Sequence, residues 1–76
     1  MPASTIIVQH RDGSPARRVR VVLGFHGLTG GMTDEEYTDD HGEVTITHSS
    51  VGKADVYVSG KKRATMHAPG RTSVVV

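Results

Sequence analysis

The chain has 76 residues, a formal net charge of +1 and no cysteine. Its length corresponds to one domain, residues 1–76, which buries only about 60% of the surface that the unfolded chain exposes. Disulfide bonds are excluded, so a well-packed core, a metal ion or self-association must supply the stability. The near-zero net charge and the scarcity of aromatic residues argue against a nucleic-acid partner, which would present a basic surface with stacking platforms.

The sequence predicts no membrane partner, because no apolar run approaches the roughly 18 residues that a spanning segment needs. The N-terminal stretch MPASTIIVQH lacks the basic start and apolar core of a signal peptide. We therefore expect a cytoplasmic location if the chain is complete, and an extracytoplasmic one if it is part of a longer secreted protein.

Along the chain, apolar and polar residues mostly alternate, and no segment keeps a helical period. Turn residues separate the alternating segments, and the segment GLTGGMT (27–33) is predicted as a glycine-rich loop. Seven short strands are predicted, at about residues 4–10, 17–26, 34–38, 43–48, 54–59, 62–67 and 71–76. This pattern is typical of an all-β fold, a seven-stranded antiparallel Greek-key β-sandwich of the prealbumin or immunoglobulin type.

The shared parity of apolar residues along each strand predicts the core. The second strand, RRVRVVLGFH, places Val19, Val21, Leu23 and Phe25 on one face and arginines on the other. Gly24 interrupts this strand, and a glycine within a strand often marks a bulge. Further core positions come from the later strands: Val44, Ile46, Val56, Val58 and Met66.

An acid-rich turn, Asp39-Asp40-His41-Gly42-Glu43, joins the third and fourth predicted strands. The Asp39 carboxylate can accept hydrogen bonds from amides two residues further on, as in an Asx-turn, and Gly42 can adopt a positive φ. We interpret this segment as a structural turn. Four other residues are also assigned to structural turns: Gly13, Pro15, Gly60, which we expect to form a two-residue hairpin turn with Lys61, and Gly70.

A divalent-cation site formed by Asp39, Asp40 and Glu43 is the alternative interpretation of this turn. Calcium takes about six to eight oxygen ligands, and the segment lacks the spacing of an EF-hand loop.

Histidines from different strands are a second source of metal ligands, and His26, His48 and His67 are the candidates. No histidine pair has helical zinc spacing, and no two histidines lie two residues apart on one strand face. We therefore expect surface or edge histidines, with no metal, no cofactor and no catalytic residue.

Three short motifs precede predicted strands: Gly13-Ser14-Pro15, Thr38-Asp39-Asp40-His41-Gly42, and Pro69-Gly70. In this order they resemble the carboxypeptidase regulatory-domain-like family, a transthyretin-like (prealbumin-like) β-sandwich, over about residues 5–76. The resemblance implies the fold rather than an activity. The enzymatic branch of the transthyretin-like sandwich ends in Tyr-Arg-Gly-Ser, whereas this chain ends in Ser73-Val74-Val75-Val76.

These features predict a non-catalytic β-sandwich module with a structural or binding role. The alternatives are a carbohydrate- or peptide-binding accessory domain of a larger enzyme or surface protein, and a small histidine-based hydrolase or metal-binding protein. We also expect self-association through the terminal strands. The segments Thr5-Ile6-Ile7-Val8 and Val74-Val75-Val76 carry no charge, whereas exposed strand edges are usually blunted by charge or proline.

Overall fold

The computed structural model describes residues 2–26 and 31–76, and the predicted loop at 27–33 lies partly outside these residues. The strands are β1 (Ala3–Gln9), β2 (Arg20–Phe25), β3 (Glu36–Tyr37), β4 (Glu43–Thr47), β5 (Gly52–Val58), β6 (Lys61–Ala68) and β7 (Arg71–Val75). The prediction of seven strands and an all-β fold is confirmed. Within the described ranges there is no helix that could cross a membrane.

The strands form a three-stranded sheet, β4-β1-β7, and a four-stranded sheet, β3-β2-β5-β6. The prediction that all strands run antiparallel is wrong at one pair, because β1 and β7 are parallel, with Ile6 opposite Thr72. The turn at Pro69-Gly70 carries the chain from one sheet to the other. As a result β7 does not form a hairpin with β6, and it lies beside β1 in the same direction.

The parallel pair also changes the interpretation of the chain ends. β1 lies between β4 and β7, so both of its edges are hydrogen-bonded within the molecule. The expectation that Thr5–Val8 forms an exposed edge is therefore wrong, and only β7 is an edge strand among the two terminal strands. The side chains of Ile6 and Val8 are fully buried between the sheets.

Apolar side chains of alternate residues fill the space between the two sheets. The buried core is formed by Ile6, Val8, Ala16, Val21, Leu23, Val44, Ile46, Ala54, Val56, Val58, Met66 and Val74. The predicted core residues belong to it, except that Val19 and Phe25 are partly buried and pack against its margin. Val19 lies outside β2, because Arg18 has a φ of 56° and this left-handed conformation cannot continue a strand.

The hairpin between β5 and β6 turns one residue earlier than predicted. Its two central residues are Ser59 and Gly60, with φ values of 52° and 85°, and Lys61 already pairs with Val58. Positive φ at both central positions is the requirement of a type I′ turn, whose twist matches that of the flanking strands. The turn at Gly60 is thus present, but Ser59 rather than Lys61 completes it.

Candidate functional site: the outer face of the four-stranded sheet

The acid-rich turn is held by hydrogen bonds from its own backbone. Asp39 Oδ1 accepts the amide N–H of His41 at 2.8 Å and that of Glu43 at 3.0 Å. These two hydrogen bonds, of which the one from the Glu43 amide has the larger effect, hold the pKa of Asp39 below its ordinary value. Gly42 has a φ of 73°, as expected, and a Cβ there would collide with the carbonyl oxygen of Val8. The turn therefore docks directly on β1.

The three carboxylates proposed as cation ligands have separate partners. Asp39 bonds the turn amides, the Arg18 guanidinium lies 2.9 Å from Asp40, and that of Arg71 lies 3.7 Å from Glu43. In residues 2–26 and 31–76, no three histidine or carboxylate side chains are grouped so that they could hold a metal ion.

Thr38, which precedes this turn, is buried and connects two segments of the chain by hydrogen bonds, a role that the sequence does not predict. Its hydroxyl donates to the carbonyl of Ala16 at 2.6 Å and accepts the amide of Val19 at 3.0 Å. Its own amide donates to the Val19 carbonyl at 3.0 Å. The motif that begins at Thr38 thereby joins the start of β2 to the β3–β4 corner, which is a structural role.

The three candidate histidines do not converge. His26 lies on the outside of the four-stranded sheet, with Nε2 3.0 Å from Asp55. His67 is an exposed residue of β6. His48 is only 4% exposed and lies against Phe25, with 5.0 Å between the ring centroids. The prediction of surface or edge histidines is therefore wrong for His48.

His48 is buried because it has polar partners inside the domain. Its Nδ1 lies 2.7 Å from the Ser50 carbonyl oxygen and its Nε2 lies 2.8 Å from Ser4 Oγ. A carbonyl only accepts, so Nδ1 donates to Ser50, and the other ring nitrogen, Nε2, is hydrogen-bonded to the Ser4 hydroxyl. The Gly70 amide donates to Ser4 Oγ at 3.3 Å. Ser4 is fully buried, and the serine–histidine pair links β1, the residue that follows β4 and the β6–β7 turn.

An open hollow of about 460 Å³ lies on the solvent side of the four-stranded sheet. We call it the Tyr57 hollow. It is formed by outward-facing residues of β2 and β5 together with residues 32–35, which precede β3, and the β5–β6 turn. Its lining consists of Arg20, Val22, Met32, Thr33, Glu35, Tyr57 and Gly60.

Gly24 positions the aromatic side of the Tyr57 hollow. It pairs in register with Asp55 of β5, and the irregularity of the sheet lies elsewhere, between Val56 and Tyr57, so the predicted bulge at Gly24 is wrong. A Cβ at Gly24 would lie 3.0 Å from Cε2 of Tyr57. Because glycine has no Cβ, the tyrosine ring can lie directly over this residue.

Met32 is held at the rim of the hollow by backbone pairing with β2. It forms a bridge with Gly24, and the next residue, Thr33, binds Leu23 through two hydrogen bonds. The Thr33 hydroxyl accepts the Leu23 amide at 3.0 Å, and the Thr33 amide donates to the Leu23 carbonyl at 2.9 Å. The backbone is thus anchored while the Met32 residue is 65% exposed.

Charged groups border this apolar surface. Arg20 Nη1 lies 3.1 Å from Glu35 Oε2 within the lining. On the same sheet, Asp55 Oδ1 lies 3.0 Å from His26, 3.4 Å from Lys62 and 3.3 Å from the Thr65 hydroxyl. The bond from His26 is the main cause that lowers the pKa of Asp55, whose side chain is 15% exposed. The outer face therefore combines an apolar hollow with fixed polar groups.

No family model matches the chain, and no curated protein matches its sequence. The class that the geometry itself defines is a small all-β domain of two packed sheets with an open apolar hollow on one outer face. Sequence parity places Val22 and Tyr57 on that face, but the hollow also depends on the pairing of Met32 with Gly24, which the sequence does not predict.

Proposed function

We propose that the chain is a non-catalytic β-sandwich module that binds a partner polypeptide through the Tyr57 hollow. The observation that carries this proposal is the composition of the lining, in which Tyr57, Met32 and Val22 adjoin Arg20. Aromatic residues, methionine and arginine are enriched in protein interfaces, and binding hollows are mostly apolar with a few polar groups that fix orientation. The Arg20–Glu35 pair would supply those polar groups.

We also propose that the connectivity is a Greek key of the prealbumin-like type, as in the carboxypeptidase regulatory-domain-like family. Support comes from the strand order, in which the chain passes between the two sheets after β1, β3, β4 and β6. Further support comes from the three turn motifs, including the one that docks Gly42 on Val8.

A carbohydrate-binding accessory domain is the second candidate, and one observation favours it. The Tyr57 ring lies over Gly24 on the sheet surface, beside the Arg20–Glu35 pair. A flat aromatic ring next to polar groups can pack against the apolar side of a sugar while the polar groups bond its hydroxyls.

Selection from a random linear peptide library, displayed on phage, tests the polypeptide proposal. We expect enriched peptides whose Kd, measured by fluorescence anisotropy, rises at least about tenfold in Met32→Asp and Arg20→Glu. Val51→Asp is the matched control, because Val51 is 66% exposed against 65% for Met32 and does not line the hollow.

Failure to enrich any peptide, or equal loss of affinity in Met32→Asp and Val51→Asp, would contradict the polypeptide proposal. A glycan panel tested with the same variants separates the second candidate. Sugar binding that is lost in Tyr57→Leu, in the absence of any peptide ligand, would assign the hollow to carbohydrate.

A further inference from the structure

The four sheet edges differ in how they are protected against pairing with another chain. β3 has two residues and is flanked by acids, and β6 begins with Lys61, Lys62 and Arg63. Short edge strands and charged side chains are both common protections. In β4, the backbone groups of Glu43 that face away from β1 are bonded to Asp39. The Glu43 carbonyl accepts the Asp39 amide N–H at 2.9 Å, and the Glu43 amide donates to the Asp39 carboxylate at 3.0 Å.

On the β7 edge, Arg71 at the first position is the one charged residue. Gly70 accepts from Thr5 and Val76 donates to Gln9, so the even-numbered residues of β7 bond β1. By alternation the backbone groups of Arg71, Ser73 and Val75 face away from the sheet. Ser73 and Val75 are uncharged, and Val75 is 57% exposed.

We propose that this edge pairs with the same edge of a second copy of the chain, antiparallel about a two-fold axis at Ser73. Ser73 then lies opposite its symmetry mate, and Arg71 lies opposite Val75 of the second copy. This arrangement forms about six backbone hydrogen bonds, because each opposed pair exchanges two. It joins the two three-stranded sheets into one continuous sheet.

A second copy fits this edge better than an arbitrary peptide because the strand is self-complementary. Antiparallel pairing keeps the two Arg71 side chains at opposite ends of the interface, where each meets an exposed valine. Arg71 also has Glu43 of its own chain 3.7 Å away, which offsets its charge. A two-fold interface requires such a match of one surface with itself.

Edge pairing alone buries little surface, so we expect a weak dimer that forms at high chain concentration. This proposal is independent of the Tyr57 hollow, which lies on the other sheet.

Disulfide cross-linking through Ser73→Cys is the direct test, since the chain contains no other cysteine. Opposed residues in a hydrogen-bonded antiparallel pair have Cα atoms about 5.5 Å apart, within the range of about 4.4–6.8 Å seen in disulfides. At high chain concentration we expect a covalent dimer to form on oxidation. Thr45→Cys is the matched control, because Thr45 is an exposed residue at the middle of β4, the opposite edge of the same sheet.

Light scattering of the unmodified chain over increasing concentration supplies the second measurement. We expect the mass to rise from 8.1 kDa toward twice that value, and Val75→Lys to prevent the rise while Thr45→Lys and Met32→Asp do not. A mass of 8.1 kDa at every concentration, or equal cross-linking of Ser73→Cys and Thr45→Cys, would overturn the proposal. Loss of the dimer in Met32→Asp would assign the contact to the hollow and would overturn it too.

Discussion

The Nε2 atom of His48 lies 2.8 Å from the hydroxyl oxygen of Ser4, and both side chains are buried. The two residues are 44 positions apart and connect β1 to the residue that follows β4. A buried polar group stabilises a fold only when it is hydrogen-bonded, and here each polar atom has a partner. We therefore expect the contributions of the two side chains to stability to be coupled.

Removal of both members should cost less than the sum of the two single removals. Ser4→Ala leaves the His48 ring nitrogen and the Gly70 amide without a partner, and we expect a loss of about 1–3 kcal/mol in the free energy of unfolding. In the double variant Ser4→Ala/His48→Phe, the two changes should be less than additive. Urea denaturation of Ser4→Ala, His48→Phe and the double variant measures the three losses, and strict additivity would show that the two side chains are not coupled.

The turn at Gly42 should tolerate no side chain. Gly42→Ala forces a Cβ against the Val8 carbonyl oxygen at a φ of 73°, and we expect a loss of more than about 2 kcal/mol. His41→Ala, next to it and exposed, should change stability by less than about 0.5 kcal/mol. Equal melting temperatures for the two variants would contradict this account of the turn.

The centre of the core should be sensitive to truncation. Leu23 is fully buried between the sheets, so Leu23→Ala should destabilise the domain by about 2–5 kcal/mol through lost contacts and a cavity. A loss of this size is a large fraction of the total stability of a small domain. Val51→Ala, at a 66% exposed position, is the control, and a comparable loss there would contradict the assignment of the core.

Acid should weaken the fold partly through Asp39. The pKa of its carboxyl is lowered in the folded state by the amides of Glu43 and His41, relative to an ordinary value of 3.8. A group with a depressed folded pKa contributes stability above its unfolded pKa, and this contribution is lost as the pH falls through the folded pKa. The loss therefore begins near pH 4 and continues below it.

Thermal unfolding between about pH 6 and pH 2 measures this contribution. We expect Asp39→Asn to lower the melting temperature at pH 6 and to show a smaller decline on acidification than the unmodified chain. An identical decline in the two proteins would exclude Asp39 as a source of the acid sensitivity.

Much of the fold could be predicted because it depends on neighbours in the chain. Alternating apolar residues in β2, β4 and β5 determine which face each strand buries, since successive side chains point to opposite sides. The Asp39–Gly42 turn was likewise predicted from residues within four positions of one another. The hairpin turn lies one residue earlier than the sequence predicts, because Ser59 as well as Gly60 adopts a positive φ, a conformation that is uncommon for serine.

The sequence by itself therefore determined the all-β class, the approximate strands, most of the core and the turn at Gly42, because these follow from local periodicity and backbone chemistry. The tertiary structure alone decided that β7 pairs in parallel with β1, that His48 is buried against Ser4, and that Gly24 makes room for Tyr57. Each of these depends on residues that are distant in the chain and meet only when the two sheets assemble. Their contacts leave no periodic or spacing pattern in a single sequence.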